Sequence, residues 1–196
     1  MNLLSLSMGV LIGIIVAVLL VVILIIVGVT ISIRNSLVAL SNGCEEAWAT
    51  IDVYLKKRYD LIPNLVETVK GYTKHESETL ERVIAARNAA IAAPNANAKI
   101  DADNALGGTL KTLFALTESY PDLKANTQFL SLQSQLQAIE NDLSQSRKFY
   151  NGKCRAYNTK IQTFPANLVA NSMQLEKRNY FELDSAEERQ NVKISF

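Results

Sequence analysis

The sequence predicts an all-α protein: a single N-terminal transmembrane helix followed by an antiparallel four-helix bundle with two long and two short helices. Three observations carry that prediction. Hydrophobic residues make up 48% of the 196, yet 25 of the first 33 are apolar and all 39 charged residues lie from Arg34 onward. Apolar positions recur every seven residues in two long, widely separated stretches. No stretch alternates apolar and polar for long enough to hold a sheet face.

The first element is the anchor, residues 1–33. Met8 to Ile33 is a run of 26 residues without a charge, longer at about 1.5 Å per residue than the roughly 30 Å hydrocarbon core of a bilayer. A cleaved secretory signal has a basic leader and a shorter apolar core. No basic residue precedes this run, which therefore reads as a permanent span. Gly9, Gly13 and Ala17 fall four residues apart, a row of small side chains that lets two membrane helices approach closely and self-associate. Basic residues flank only the C-terminal side, Arg34 first and then Lys56, Lys57 and Arg58. That asymmetry places the N-terminus outside and the rest of the chain in the cytoplasm.

Residues 34–164 hold the bundle. Trp48, Leu55, Ile62 and Val69 keep the seven-residue stride, with Ile51, Leu65 and Tyr72 three later and only Arg58 polar in that second series. This is a long amphipathic helix, and Pro63 within it predicts a kink or a break near Tyr59–Ile62. Gly71 stands where a C-terminal cap belongs, and Thr73 to Glu76 has the spacing of a capping box. A second helix is expected over about 74–93, carrying Leu80, Val83, Ile84, Arg87 and Ile91 before Pro94. After a connector at 94–98, Asp101 or Asp103 is expected to cap a third helix ending before Pro121. Gly107 and Gly108 inside it imply a close helix contact or a later start. A fourth, long helix over about 126–164 carries Phe129, Leu136, Leu143, Tyr150, Tyr157 and Phe164 at seven-residue intervals.

If the two long helices are antiparallel with Tyr72 level with Asn126, facing residues have numbers that sum to about 198. The apolar positions then meet in layers: Val69 with Phe129, Ile62 with Leu136, Leu55 with Leu143, Trp48 with Tyr150. Helices two and three reach only half as far. Trp48, Tyr150, Tyr157, Ile161 and Phe164 therefore form a membrane-proximal surface short of neighbours. The tail (165–196), the membrane interface or other copies of the chain could cover it, and a lateral homo-oligomer is the preferred reading.

The search for chemistry is mostly exclusion. A net charge of +1 argues against a sequence-independent nucleic-acid binder. His75-Glu76 resembles the start of an H-E-x-x-H helix, but Thr79 follows and the chain has no second histidine. In the first turn of a helix, His75 reads as solvent-exposed. Cys44 and Cys154 form no C-x-x-C pair and read as small buried residues. No phosphate-binding loop or nucleophile elbow is present. No catalytic, cofactor-binding or metal-ligating residue is expected. Asn64, Arg147, Asn151 and Asn158 lie beside apolar stripe positions and read as a buried polar network that sets the helix register.

One set of fragments resembles a known family. The run Ala47-Trp48, Ile51-Asp52-Val53, Leu55 to Val66 (LKKRYDLIPNLV), Val69-Lys70-Gly71-Tyr72 and His75-Glu76 is similar to the LemA family. So are Tyr120 to Asn126 (YPDLKAN), Arg147 with Phe149-Tyr150-Asn151, Tyr157-Asn158, Phe164-Pro165 and Tyr180-Phe181-Glu182. The resemblance implies a bacterial membrane protein with one transmembrane helix, a cytoplasmic four-helix bundle and no established enzymatic activity. The functional expectation is a non-catalytic membrane-anchored scaffold or interaction module at the bacterial inner membrane. Its expected partners are the lipid bilayer, further copies of itself and an envelope protein. The alternatives are a ligand sensor or enzyme with a polar pocket lined by Arg58, Asn64, Arg147 and Asn151, or a regulator of an envelope protease or stress system.

Overall fold

The computed structural model describes residues 3–73 and 76–181. Its helices are α1 (Leu3–Lys70), α2 (Ser77–Ala92), α3 (Ala96–Thr117), α4 (Pro121–Lys124), α5 (Thr127–Gln162) and α6 (Ala166–Ser172). No strand occurs among the described residues. The apolar N-terminal segment and the first stripe-bearing helix are one continuous element, α1. Its most apolar stretch is long enough to cross a membrane once, and none of that window is buried. It is compatible with a single-pass anchor.

Pro63 lies inside α1 without breaking it. Proline has no N–H, so the carbonyl of Tyr59 loses its helical donor. Arg87 of α2 supplies another: its Nε donates to the Tyr59 carbonyl oxygen at 2.7 Å. The expected weak point is therefore a docking point for the second helix.

The chain divides into two compact units, Glu45–Cys154 with Asn179–Phe196, and Met1–Cys44 with Arg155–Arg178. In the first unit α1 and α5 run antiparallel in the predicted register. Asn126 Nδ2 donates to Tyr72 Oη at 2.8 Å, and Trp48 meets Tyr150 edge-on with ring centroids 5.7 Å apart. Arg58 Nη2 lies 3.2 Å from Glu140 Oε2. Each of these pairs obeys the predicted sum. Leu55, Ile62, Val69, Phe129, Leu136 and Leu143 between them are buried. Leu80, Val83 and Ala90 of α2 and Ile100, Leu106, Leu110 and Leu113 of α3 are buried as well, and Phe114 brings α3 to Phe129 of α5.

Local signals were read less well. Thr73 closes α1 instead of opening α2: its hydroxyl donates to the Val69 carbonyl at 3.2 Å. Gly71 follows the helix, but no described glycine has the positive φ of a left-handed cap. The third helix starts earlier than expected because Asn95, rather than Asp101 or Asp103, caps it, Oδ1 accepting from the Ala98 N–H. Both glycines fall within α3. A Cβ on Gly107 would meet only the Arg58 guanidinium, at an ordinary van der Waals distance of 3.7 Å, and one on Gly108 would meet nothing within 4 Å, so neither a later start nor a close helix contact accounts for the pair. The short α4 begins at Pro121, an element the sequence does not predict. His75 lies outside the described residues.

In the second unit, Leu37 of α1, Tyr157, Asn158 and Ile161 of α5, and Ala166 and Ala170 of α6 are buried, while Phe164 and Leu168 are exposed. Cys44 and Cys154 are both fully buried, each in its own unit.

Replacing Arg87 by Met removes the substitute donor at Tyr59 and is expected to cost about 1.5 kcal/mol, the value of a charge-assisted hydrogen bond. In a Pro63→Ala background, where residue 63 regains its N–H, the same replacement should cost less. Urea unfolding of the detergent-solubilised chain, followed by circular dichroism, measures both.

Candidate functional site

Two polar arrangements stand out. The first is an ion cluster inside the Glu45–Cys154 unit. Asp103 is fully buried within α3. Arg58 Nη1 donates to its carboxylate at 3.2 and 3.3 Å, and Arg147 Nη2 donates to Oδ2 at 2.6 Å. Glu140 completes the cluster, 3.2 Å from Arg58 Nη2 and 3.6 Å from Arg147 Nη1. Two cations and two carboxylates from α1, α3 and α5 thus balance one another. Burial pushes the Asp103 carboxyl above the ordinary aspartate range, and the guanidinium groups of Arg58 and Arg147 oppose that shift. Tyr59 is buried nearby, its hydroxyl without a hydrogen-bond partner among the described residues. Burial, reinforced by the charge of Asp103, drives that phenol far above its usual value.

The second arrangement is a strap formed by the chain after α6. Asn158 Nδ2 donates to the Arg178 carbonyl at 2.8 Å, and Arg178 N–H donates back to Asn158 Oδ1 at 2.9 Å. Asn151 repeats the clasp on Phe181, with both bonds at 2.9 Å. A side-chain amide offers one donor and one acceptor, as a neighbouring strand would.

The strap also delivers side chains. Phe181 stacks on Trp48 at 5.8 Å and meets Tyr150 edge-on at 5.7 Å, and the Arg147 guanidinium lies over its ring at 5.3 Å. Arg178 lies 5.5 Å over the Tyr157 ring and donates to Ser41 Oγ at 3.0 Å.

These contacts correct the expected open surface. Tyr150, Tyr157 and Ile161 are buried and Trp48 is partly covered, whereas Phe164 is 80% exposed. The tail, one of the three occupants considered, does the covering, because an extended strap can follow a helix pair where the short helices do not reach. Of the expected polar network, Arg147 joins the ion cluster, and Asn151 and Asn158 hold the strap. Asn64 is exposed and joins neither. Gly9, Gly13 and Ala17 are exposed along α1, with nothing within 4 Å of either glycine's would-be Cβ.

Asp103, expected as a helix cap, is instead a buried carboxylate, while Glu140 is an interhelical partner of Arg58 and Arg147. A signal existed: Asp103, Leu106, Leu110 and Leu113 share one helical face, just as Arg58 interrupts the series Ile51, Leu65, Tyr72. Beside the cluster lies a groove of about 790 Å³, lined by Arg58, Asp103, Gly107, Arg147, Asn151 and Phe181 among others. No group of three or more residues able to hold a metal ion occurs among the described residues.

The profile of the LemA family matches residues 47–196. The chain belongs to the LemA family. The matched region contains both the ion cluster and the strap. The chain is also 26% identical over 165 residues to Protein LemA of Metamycoplasma hominis, an alignment covering 79% of this chain and 71% of that one. LemA membership agrees with the helical architecture and the apolar N-terminal helix, and it assigns no catalytic residue.

Asp103→Asn strips one carboxylate from two largely buried guanidinium groups. It should destabilise the fold by about 3 kcal/mol, and by less when Arg58→Met is added; a double-mutant cycle on urea midpoints tests this. Trp48 is the sole tryptophan, so Phe181→Ala, which uncovers its ring, should shift the protein's fluorescence to longer wavelength while the helical circular dichroism is retained.

Proposed function

We infer that this protein is a non-catalytic, membrane-anchored interaction module that self-assembles at the bacterial cell membrane. Residues 1–33 anchor it, with the N-terminus outside. Residues 34–164 form a cytoplasmic antiparallel four-helix bundle of two long and two short helices, and the tail from 165 straps it.

The observation that carries this reading is the small-residue row of Gly9, Gly13 and Ala17, which nothing among the described residues covers. In a bilayer such a row is where van der Waals packing between helices is strongest, because lipid tails cannot follow a groove as closely as another helix does. Self-association through α1 would place several cytoplasmic bundles side by side to present a shared surface to an envelope partner.

The groove beside the ion cluster favours a second reading, a ligand sensor, because three of the four residues expected to line such a pocket do line it. Arg58, Asp103, Glu140 and Arg147 within it are already paired with one another, which ranks this reading below the first.

Light scattering and crosslinking of the full chain in mild detergent test the assembly. A discrete oligomer is expected, and Gly9→Leu with Gly13→Leu should dissociate it without lowering the melting temperature of the cytoplasmic part. A wild-type chain that is monomeric across all protein concentrations would overturn the reading.

A further inference from the structure

Phe164 is the most exposed large hydrophobic side chain among the described residues, and Leu168 beside it is 61% exposed. Both sit in the unit that contains the apolar part of α1. Their height along that helix follows from Arg178, whose main chain is held by Asn158 and whose guanidinium bonds Ser41. Asn158 and Ser41 are thus level to within the reach of one arginine. Phe164 lies six residues beyond Asn158, and Thr163 N–H still bonds the Thr159 carbonyl, so the helical path persists nearly that far. Six residues back from Ser41 along the antiparallel α1 is Asn35. Each step is about 9 Å. Phe164 therefore stands at the height where the uncharged run of α1 ends, at Ile33.

The charge of this unit points the same way. It carries the basic residues Arg34, Arg155, Lys160, Lys177 and Arg178 against the single acid Glu176, a net charge of +4 in a chain whose total is +1. Lys160 is remote from the anchor in sequence, and α5 returns it to within four residues of Phe164. Aromatic and aliphatic groups ringed by cations at the foot of a membrane helix match an anionic lipid surface, with apolar tips in the headgroup region and cations at the phosphates.

We propose that the corner between α5 and α6 is a lipid-contact site, in which Phe164 and Leu168 enter the interface of an anionic leaflet and Lys160 engages lipid phosphates. This rests on the reading of α1 as a membrane anchor. The contact would set the tilt and rotation of the domain on the membrane.

The test uses the full chain reconstituted in vesicles of phosphatidylcholine, alone or mixed with phosphatidylglycerol, with bromines placed shallow or deep in the acyl chains. Phe164→Trp adds a second fluorophore at an exposed position, and Leu20→Trp reports on the anchor. The expected result is that Phe164→Trp loses fluorescence to shallow bromines relative to the wild type. The loss should be greater in the anionic vesicles and fall when Lys160→Gln is added. If Leu20→Trp is quenched by deep bromines but Phe164→Trp is not quenched at all, the lipid contact is overturned while the anchor stands. Blue-shifted Phe164→Trp emission without quenching would overturn it in favour of a second copy of the chain. Equal quenching in the two vesicle types would overturn the anionic preference. An unquenched Leu20→Trp would remove the anchor reading itself, and the proposal with it.

Discussion

An apolar stripe that runs the length of a helix has to be covered for its whole length, and most of this structure answers that requirement. The stripe on α5 extends from Phe129 to Ile161 and is buried at each seven-residue step. α3 serves its beginning, through the contact of Phe114 against Phe129. Further along, the chain turns through α6 and lays an extended strap over Tyr157, Tyr150 and Trp48. A strap has no internal hydrogen bonds, so its backbone needs partners from outside. Asn151 and Asn158 are those partners, and the apolar contacts of Phe181 are held in place by polar ones.

The same economy explains the ion cluster. A carboxylate on the buried face of α3 is unfavourable unless its charge is met. Arg58 and Arg147 meet it from the two long helices. Such a cluster adds little net stability over apolar packing of the same volume. Its geometric effect is greater: three helices can satisfy Asp103 at only one mutual register, and slippage of any of them would strand a buried charge. Arg147 then connects this cluster to the strap through the Phe181 ring.

Much of the scaffold was legible in the sequence because it depends on periodicity. The seven-residue stride of Trp48, Leu55, Ile62 and Val69 matched to that of Phe129, Leu136, Leu143 and Tyr150 predicted the pairing of α1 with α5, down to Tyr72 against Asn126. Helix ends were less legible. Thr73 could cap α2 or close α1 with equal local chemistry, and the packing around Val69 chose the second. Asn151 and Asn158 were recognised as polar residues in need of partners. Those partners were backbone groups of a tail that shows no apolar period, and no pattern of spacing could have named them.

By itself, the sequence marked which residues favour leaving water: the charge-free N-terminal run, the stripes, and the polar positions Arg147, Asn151 and Asn158 set among them, though Asn64 and Phe164, marked with them, are exposed. That follows from side-chain chemistry and the repeat of a helix, both local properties. What each buried group meets was decided only in three dimensions. Asp103 finds two arginines and Trp48 finds Phe181 because these residues, far apart along the chain, converge when the long helices pair and the tail turns back. The energy of those contacts depends on distance in space, to which neither composition nor period refers.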